Sequence, residues 1–294
     1  MTMLKRFGFC LAALAVAIGA ARAEAPAAYE VAGAVVHEIS SSATGRSYKL
    51  IVKTPPRYAA PENSQRHYPA IYLNDSELFF LVAAGAPLLS YYNRAIEEAI
   101  IVGVSYAIGE DPIASRQRDL TPVADESFKN ETGGAPDYFE FLKNEAIPLI
   151  ERSYRTDTTR RTLAGHSLGG TFGAYALLRE PELFANYVLI SPALWYGDHA
   201  IAAAEDQYAS GRRALKARVY MAVGDLEGPK GGLKGVDLVN DQIALAARLR
   251  SRNYDGLILR DEVLSGVGHS TSFPAAFLRA MEWLFPAKPA LEPP

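Results

Sequence analysis

The chain has 294 residues, of which 49% are hydrophobic and 21% are charged, and its 30 Lys and Arg against 33 Asp and Glu give a formal net charge of −3 at pH 7. This length and composition can bury one large core, which excludes a disordered or a fibrous protein. No basic stripe accompanies the mildly acidic balance, so we expect no nucleic-acid partner.

Residues 1–23 have the layout of a secretory signal peptide. Lys5 and Arg6 form a basic start, an apolar run of 14 residues follows, and Ala21 and Ala23 frame an A-x-A cleavage site. The apolar run is too short to span a membrane comfortably. We therefore predict a periplasmic or secreted bacterial protein with no stable membrane span after cleavage. Its exported part would have a net charge of −6 and no cysteine, so its core rather than disulfides must hold the fold.

Eight apolar segments alternate with helical patterns along the rest of the chain. The first two, at 33–40 and 46–55, predict an antiparallel pair of strands. Six short, nearly unbroken apolar runs follow, as expected of parallel strands covered on both faces, at 69–75, 99–106, 161–167, 186–192, 217–224 and 257–264. Helices are predicted at 79–98, 136–153, 168–179, 237–252 and 271–284.

This alternation implies right-handed crossovers and one mostly parallel sheet with helices on both faces. Eight strands, two antiparallel followed by six parallel, are the plan of the α/β-hydrolase fold, which is the fold class that we predict. The sequence contains no repeat and no long linker, so residues 24–286 are predicted to form a single domain. Residues 287–294 are predicted to be a Pro-rich tail.

The pentapeptide Gly165-His166-Ser167-Leu168-Gly169 lies where the fifth predicted strand turns into a helix. Such a turn strains its central residue, requires small flanking residues and lifts the central side chain above the sheet. Ser167 is therefore the candidate nucleophile, and the N–H of Leu168 is a candidate donor to an oxyanion. The alternative is a tight strand-to-helix joint whose serine has no chemical role.

A serine hydroxyl needs a positioned base to act as a nucleophile. Of the five histidines, His269 follows the last predicted strand, on the same carboxyl edge of the sheet as Ser167. This placement agrees with the chain order Ser, acid, His of α/β-hydrolases. His166 is adjacent to Ser167 and is expected to pack beneath the turn. The alternative for His269 is a loop histidine bonded to the backbone.

The acid of the predicted triad should follow the seventh strand, where Asp225 and Glu227 are both candidates. We favour Glu227, because hydrolases usually place the carboxylate about three residues past the glycine that ends the strand. From there it would fix the imidazole tautomer and stabilise the imidazolium. Asp225 is the alternative acid, and a further alternative is that both are solvated turn residues.

The assembled motifs resemble those of the putative esterase family of α/β-hydrolases, in particular its ferric-enterobactin-esterase-like members. The esterase D and mycolyltransferase groups are more distant. The likeness covers roughly residues 33–286. It is carried by the segments YLNDSE (72–77), RDLTP (118–122), GHSLGG (165–170) and SPALWY (191–196).

The resemblance implies a Ser-His-Glu triad of Ser167, His269 and Glu227. It also implies that the loop after the third strand supplies a second oxyanion N–H at Glu77. One departure concerns Ser76, which stands where family members have a glycine. Glycine adopts backbone angles that serine resists, so the geometry of the oxyanion hole on this side is an open question.

Trp195 and Tyr196 follow the sixth predicted strand at the carboxyl edge of the sheet. Large aromatic side chains at this place can form an apolar, stacking wall that binds a substrate. The alternative for Trp195 is that it fills the core beneath the loop.

Three basic side chains lie in loops near the same edge: Arg118, Lys230 and Lys234, of which the lysines belong to the glycine-rich segment 228–235. We hypothesise that they favour an anionic substrate such as a ferric catecholate complex. The alternatives are that the lysines are ordinary solvated residues and that Arg118 pairs with Asp119 to brace its loop. For Arg118 we favour the bracing role.

These residues predict an exported serine carboxylic-ester hydrolase that forms an acyl-enzyme cleared by water. The narrower hypothesis is cleavage of catecholate trilactone siderophores. Acyl transfer of the mycolyltransferase or esterase D type and a non-catalytic binding protein of the same fold are the alternatives. No metal or organic cofactor is expected, since the sequence contains no H-E-x-x-H motif and no Cys/His cluster. We expect a monomer or a weak oligomer.

Overall fold

The computed structural model describes residues 30–230 and 235–287. The chain divides into a short N-terminal segment, Met1–Val31, and a compact unit, Ala32–Pro294, which contains all the helices and strands given below. The predicted signal peptide and most of the predicted Pro-rich tail lie outside the described residues. Within the two described stretches, no helix has the length and apolar character needed to cross a membrane.

Eight strands form one sheet, in the spatial order β1-β2-β4-β3-β5-β6-β7-β8. They are β1 (Ala34–Ser40), β2 (Ser47–Lys53), β3 (Tyr68–Leu73), β4 (Ile100–Val104), β5 (Thr156–His166), β6 (Asn186–Ile190), β7 (Ala214–Gly224) and β8 (Asp255–Leu264). Strand β2 is antiparallel to both of its neighbours, and all pairs among β3 to β8 are parallel. The predicted fold class, an α/β-hydrolase sheet of an antiparallel pair followed by six parallel strands, is confirmed.

The helices are α1 (Ser76–Gly85), α2 (Leu88–Tyr92), α3 (Pro112–Asp119), α4 (Ala135–Phe141), α5 (Ile147–Ser153), α6 (Leu168–Arg179), α7 (Tyr196–Gly211), α8 (Leu238–Ser251) and α9 (His269–Leu284). Of the predicted helices, 168–179 agrees with α6 at both ends. The prediction at 79–98 was wrong in its extent: α1 begins at Ser76, Pro87 precedes the short α2, and residues 93–98 are not helical. The prediction at 136–153 corresponds to α4, a π-helical turn at Leu142–Ala146, and α5.

The core consists of two layers, one on each face of the sheet. Side chains of β3 alternate between the layers, so Tyr72 belongs to one and Ile71 to the other. The first layer packs the sheet against α4 to α8, and the second packs it against α1, α2 and α9. The turn between β5 and α6 lies at the carboxyl ends of the parallel strands. Active sites of open α/β sheets lie at this edge.

Candidate active site

The turn between β5 and α6 has a strained backbone at Ser167, whose φ is 57° and ψ is −120°. The adjoining positions have no room for a side chain. A Cβ at Gly165 would lie 2.2 Å from the carbonyl oxygen of Gly169, and a Cβ at Gly170 would lie 3.0 Å from Pro192 Cα. The backbone clash explains the glycines in the motif, and the partly exposed Ser167 side chain has the geometry expected of a nucleophile elbow.

The two predicted oxyanion donors, the N–H groups of Leu168 and Glu77, each lie in the first turn of a helix. Helix starts have backbone N–H groups without intrahelical acceptors and a partial positive charge. Across residues 30–230 and 235–287, neither N–H donates a hydrogen bond to another backbone group. The predicted oxyanion hole requires such unpaired N–H groups.

The residue with left-handed backbone in the β3–α1 turn is Asp75, at φ 57°. Ser76, which follows it, is the first helical residue of α1 and has no positive φ. The concern that a serine resists this backbone therefore does not apply, because the unusual angles belong to the neighbouring aspartate.

Arg116 of α3 connects the two turns of the predicted oxyanion hole, a role that no pattern in the sequence indicated. Its Nε lies 2.7 Å from Asp75 Oδ1 and its Nη2 lies 3.2 Å from Asp75 Oδ2. The same Nη2 donates to the carbonyl of His166 at 3.3 Å. The Asp75 side chain is fully buried, so this bidentate pair fixes the β3–α1 turn against the elbow.

The predicted base and acid are in direct contact: His269 Nδ1 lies 2.6 Å from Glu227 Oε2. Glu227 is completely buried, whereas the His269 side chain is 28% exposed. Burial alone would raise the pKa of the Glu227 carboxyl, but hydrogen bonds from His269, Ser191 and the Gly224 N–H lower it, and the resulting pKa is below the ordinary value. Glu227 is thus an ionised partner for the imidazole.

Asp225, the alternative acid, is exposed, and its Oδ1 accepts a hydrogen bond from Gly266 N at 2.8 Å. It braces the loop between β8 and α9 and does not contact the imidazole of His269. The geometry therefore favours Glu227 as the acid.

His166 packs beneath the elbow, as its position next to Ser167 suggested. Its ring lies against that of His269, with centroids 4.5 Å apart. Its Nε2 lies 2.9 Å from the carbonyl oxygen of His269 and 3.0 Å from Ser272 Oγ. Burial and the neighbouring His269 lower the pKa of His166 to about 3, so this imidazole is neutral.

These contacts place the imidazole of His269 beside His166 of the elbow. Ser167 Oγ makes no hydrogen bond in the described part of the chain, so the predicted triad requires a hydrogen bond from Ser167 to His269 Nε2 that forms on substrate binding. Catalytic hydrogen bonds often tighten in this way.

Of the two predicted aromatic wall residues, Tyr196 is only 1% exposed, and its hydroxyl donates to Val123 O at 2.8 Å. It is therefore a core residue, and its hydroxyl has a backbone partner inside the protein. Trp195 remains partly exposed and stacks nearly parallel on Phe128, with centroids 6.4 Å apart. Of the two, only Trp195 keeps an exposed surface, as the predicted wall requires.

Arg118 is buried and donates to the carboxylates of Glu110 and Asp119. Its charge is therefore used inside the protein, which favours the bracing role over substrate binding. Lys230 is exposed, and Lys234 lies outside the described residues. No group of three or more His, Cys, Asp or Glu side chains in the described stretches is arranged to hold a metal ion.

The chain matches the family model described as "Putative esterase" over residues 41–284. It is similar to the ferri-bacillibactin esterase BesA of Bacillus subtilis (strain 168), with 29% identity over 90% of this chain and 94% of the relative. The BES protein from Bacillus cereus has 25% identity and a TM-score of 0.75, over 88% of this chain and 97% of that one.

The siderophore hydrolase EstB from Aspergillus nidulans shares the fold, with a TM-score of 0.78 at 20% identity, over 90% of this chain and 99% of that one. The family model spans most of the chain. The chain belongs to the putative esterase family of α/β-hydrolases and is a carboxylic ester hydrolase.

Proposed function

We propose that this chain is an exported serine hydrolase that opens siderophore lactones through Ser167, His269 and Glu227. The observation that carries the proposal is the 2.6 Å contact between His269 Nδ1 and a fully buried carboxylate, next to a strained serine elbow. With Nδ1 bound to Glu227, the proton-accepting nitrogen of the imidazole is Nε2.

In the proposed reaction, Ser167 Oγ attacks the ester carbonyl carbon while His269 Nε2 takes the hydroxyl proton. The N–H groups of Leu168 and Glu77 stabilise the oxyanion of the tetrahedral intermediate. His269 then gives the proton to the leaving alcohol oxygen, and an acyl-enzyme on Ser167 remains. Water then attacks the acyl carbon while His269 takes its proton, and His269 returns this proton to Ser167 Oγ as the ester bond to the enzyme breaks and the acid leaves.

Two observations support a siderophore as the substrate. BesA is named a ferri-bacillibactin esterase and EstB a siderophore hydrolase. Because Arg118 is neutralised internally, binding of an anionic iron complex would depend on Lys230 and Lys234 in the loop that follows Glu227, with Trp195 as the apolar surface. Export, with residues 1–23 as the signal, and a monomeric or weakly associated state belong to the same proposal.

The test is a panel of p-nitrophenyl esters and ferric triscatecholate lactones, offered to the mature protein beside Ser167→Ala. We expect saturable lactone opening that the variant lacks, and fluorophosphonate labelling of Ser167 alone. Turnover of short esters only would reduce the proposal to a general esterase. Ester products formed with added alcohols would indicate acyl transfer, and binding without turnover would indicate a non-catalytic protein.

The anionic preference is tested separately with a Lys230→Ala, Lys234→Ala variant on anionic and neutral esters. We expect a selective loss on the anionic substrates. Equal losses on both classes would contradict a role of these lysines in charge recognition.

A further inference from the structure

We propose that His166, Ser272 and Ser191 form a one-directional hydrogen-bond chain that positions Glu227, and through it His269, from the side away from the substrate. This inference rests on the proposed roles of Glu227 and His269. The three residues are positioning residues, since none of them contacts the reacting atoms.

The hydrogen-bond chain is continuous and buried. His166 Nε2 lies 3.0 Å from Ser272 Oγ, Ser272 Oγ lies 2.8 Å from Ser191 Oγ, and Ser191 Oγ lies 2.7 Å from Glu227 Oε1. Ser191, Ser272 and Glu227 are completely buried and His166 is 6% exposed. Water therefore has no direct access to these hydroxyls, and each must use a partner inside the protein.

The positions of the protons give the chain its direction. Glu227 is an ionised acceptor, so Ser191 must donate its only hydroxyl proton to Oε1. Ser191 Oγ then has only lone pairs to offer Ser272, which must donate to it. If Ser272 instead gave its proton to its second acceptor, the His269 carbonyl at 3.1 Å, two lone pairs would face each other across 2.8 Å.

His166 is the donor at the start of the chain. The carbonyl of His269 can only accept, so the Nε2 that contacts it must carry a proton. The same N–H faces Ser272 Oγ. Every donor in the chain thus points toward Glu227.

The consequence for the acid is that both of its oxygens are held. Oε1 receives Ser191 Oγ and Gly224 N, each at 2.7 Å, while Oε2 receives His269 Nδ1. A carboxylate held at both oxygens cannot rotate away from the imidazole. All of these donors except the imidazole are uncharged, so the negative charge of Glu227 stays available to the imidazolium that forms during the reaction.

The backbone of Ser191 supports this assignment. Its φ is 44°, a left-handed value that glycine adopts without strain and serine does not. Glycine would have no hydroxyl to offer Glu227. A strained non-glycine residue at this point is explained if the hydroxyl is required.

The test compares Ser191→Ala and Ser272→Ala with Ser270→Ala, which makes the same chemical change on the exposed side of the same turn of α9. Activity is normalised to the fraction of protein that a fluorophosphonate labels. We expect kcat to fall about tenfold in Ser191→Ala and less in Ser272→Ala, with KM unchanged, because the loss is one of alignment. Ser270→Ala should retain the parent kcat.

The second readout is independent of turnover: the low-field proton resonance of His269 Nδ1–H in the resting protein with labelled histidine. We expect this resonance to shift or broaden in Ser191→Ala and in Ser272→Ala and to stay unchanged in Ser270→Ala. If Ser191→Ala does not fold, Ser272→Ala decides, since it leaves the Ser191–Glu227 bond in place.

Unchanged normalised kcat together with an unchanged resonance in the chain variants would overturn the proposal. A fall in thermal stability alone, with both readouts unchanged, would also overturn it. Failure of the proposed function looks different: the parent protein would hydrolyse no ester, or Ser167→Ala would hydrolyse as well as the parent. In that case the resonance still decides whether the chain positions His269.

Discussion

Two buried carboxylates lie near the elbow, and the protein stabilises their charges in different ways. Asp75, on the oxyanion side, forms a bidentate ion pair with Arg116. Glu227, on the acid–base side, receives two neutral donors and one imidazole. A carboxylate that only holds two turns together can be paired permanently with a cation. A carboxylate with the role that we propose for Glu227, stabilising a transient imidazolium, cannot be paired in this way, because a guanidinium beside it would already balance its charge.

The largest effect is expected when the charge of Glu227 is removed and its shape is kept. Glu227→Gln should lower kcat by about 10³-fold or more, since the amide cannot stabilise the imidazolium and can reverse the tautomer of His269. Asp225→Asn is the matched control, and its kcat should stay close to the parent value because Asp225 only braces a loop. Steady-state hydrolysis of one ester by both variants decides. Equal losses would mean that the acid is not specifically Glu227.

The second test removes the cation that is paired with Asp75, which is Arg116. Arg116→Met should destabilise the fold by about 3–5 kcal/mol, because it leaves the carboxylate of Asp75 buried and unpaired. Urea unfolding at pH 7 measures this loss. The double variant Asp75→Asn, Arg116→Met should recover part of it. A double variant no more stable than Arg116→Met would show that the pair does more than balance charge.

The third test concerns His166 and the dependence of the free energy of unfolding on pH. Its folded pKa of about 3 lies below the ordinary value of 6.5, so between these two values the unfolded chain binds a proton that the folded protein excludes. The stability that depends on neutral His166 is therefore complete above pH 6.5 and is lost as the pH falls toward 3.

Between pH 6.5 and pH 4 this loss amounts to about 3 kcal/mol. His166→Gln keeps an N–H donor and does not titrate, so its unfolding free energy should fall less over the same interval. Denaturant unfolding of both proteins at several pH values measures the difference. Parallel pH curves would contradict a buried, neutral His166.

The smallest effect concerns Ser191→Ala. The pKa of Glu227 is lowered in the folded protein by donors that include Ser191, so this contribution to stability is present above the ordinary carboxyl pKa of 4.5 and is lost as the pH falls through the folded value. Ser191→Ala should therefore cost about 1–2 kcal/mol at pH 7 and less at pH 3. An equal cost at both pH values would mean that the hydroxyl does not stabilise the charged form.

Local patterns in the sequence were enough for the fold and for the elbow. The strands contain apolar runs because both of their faces are buried there. The glycines around Ser167 are present because a side chain in their place would clash with the backbone. Both features are therefore visible in neighbouring residues of the sequence. The ester hydrolase class is confirmed by the family match. The individual roles of Ser167, His269 and Glu227 stay predictions that the observed geometry supports.

The residues that hold the site in place were not predictable in the same way. Arg116 meets Asp75 across 41 positions, and Ser272 meets Ser191 across 81. A single serine or arginine has no periodicity that would reveal such a partner. Tyr196 was misjudged for a related reason: a single aromatic residue at the start of α7 has no repeat that would reveal its burial, and its hydroxyl bonds the carbonyl of Val123, 73 residues away.

The unusual backbone of Ser167 has an evolutionary consequence. A non-glycine residue at φ 57° and ψ −120° stores strain that the folded state must tolerate. Glycine at this position would relieve the strain and remove the hydroxyl that we propose as the nucleophile. Under the proposed function, selection for thermostability and selection for catalysis therefore act in opposite directions at this one codon, and only continuous demand for the reaction would retain the serine.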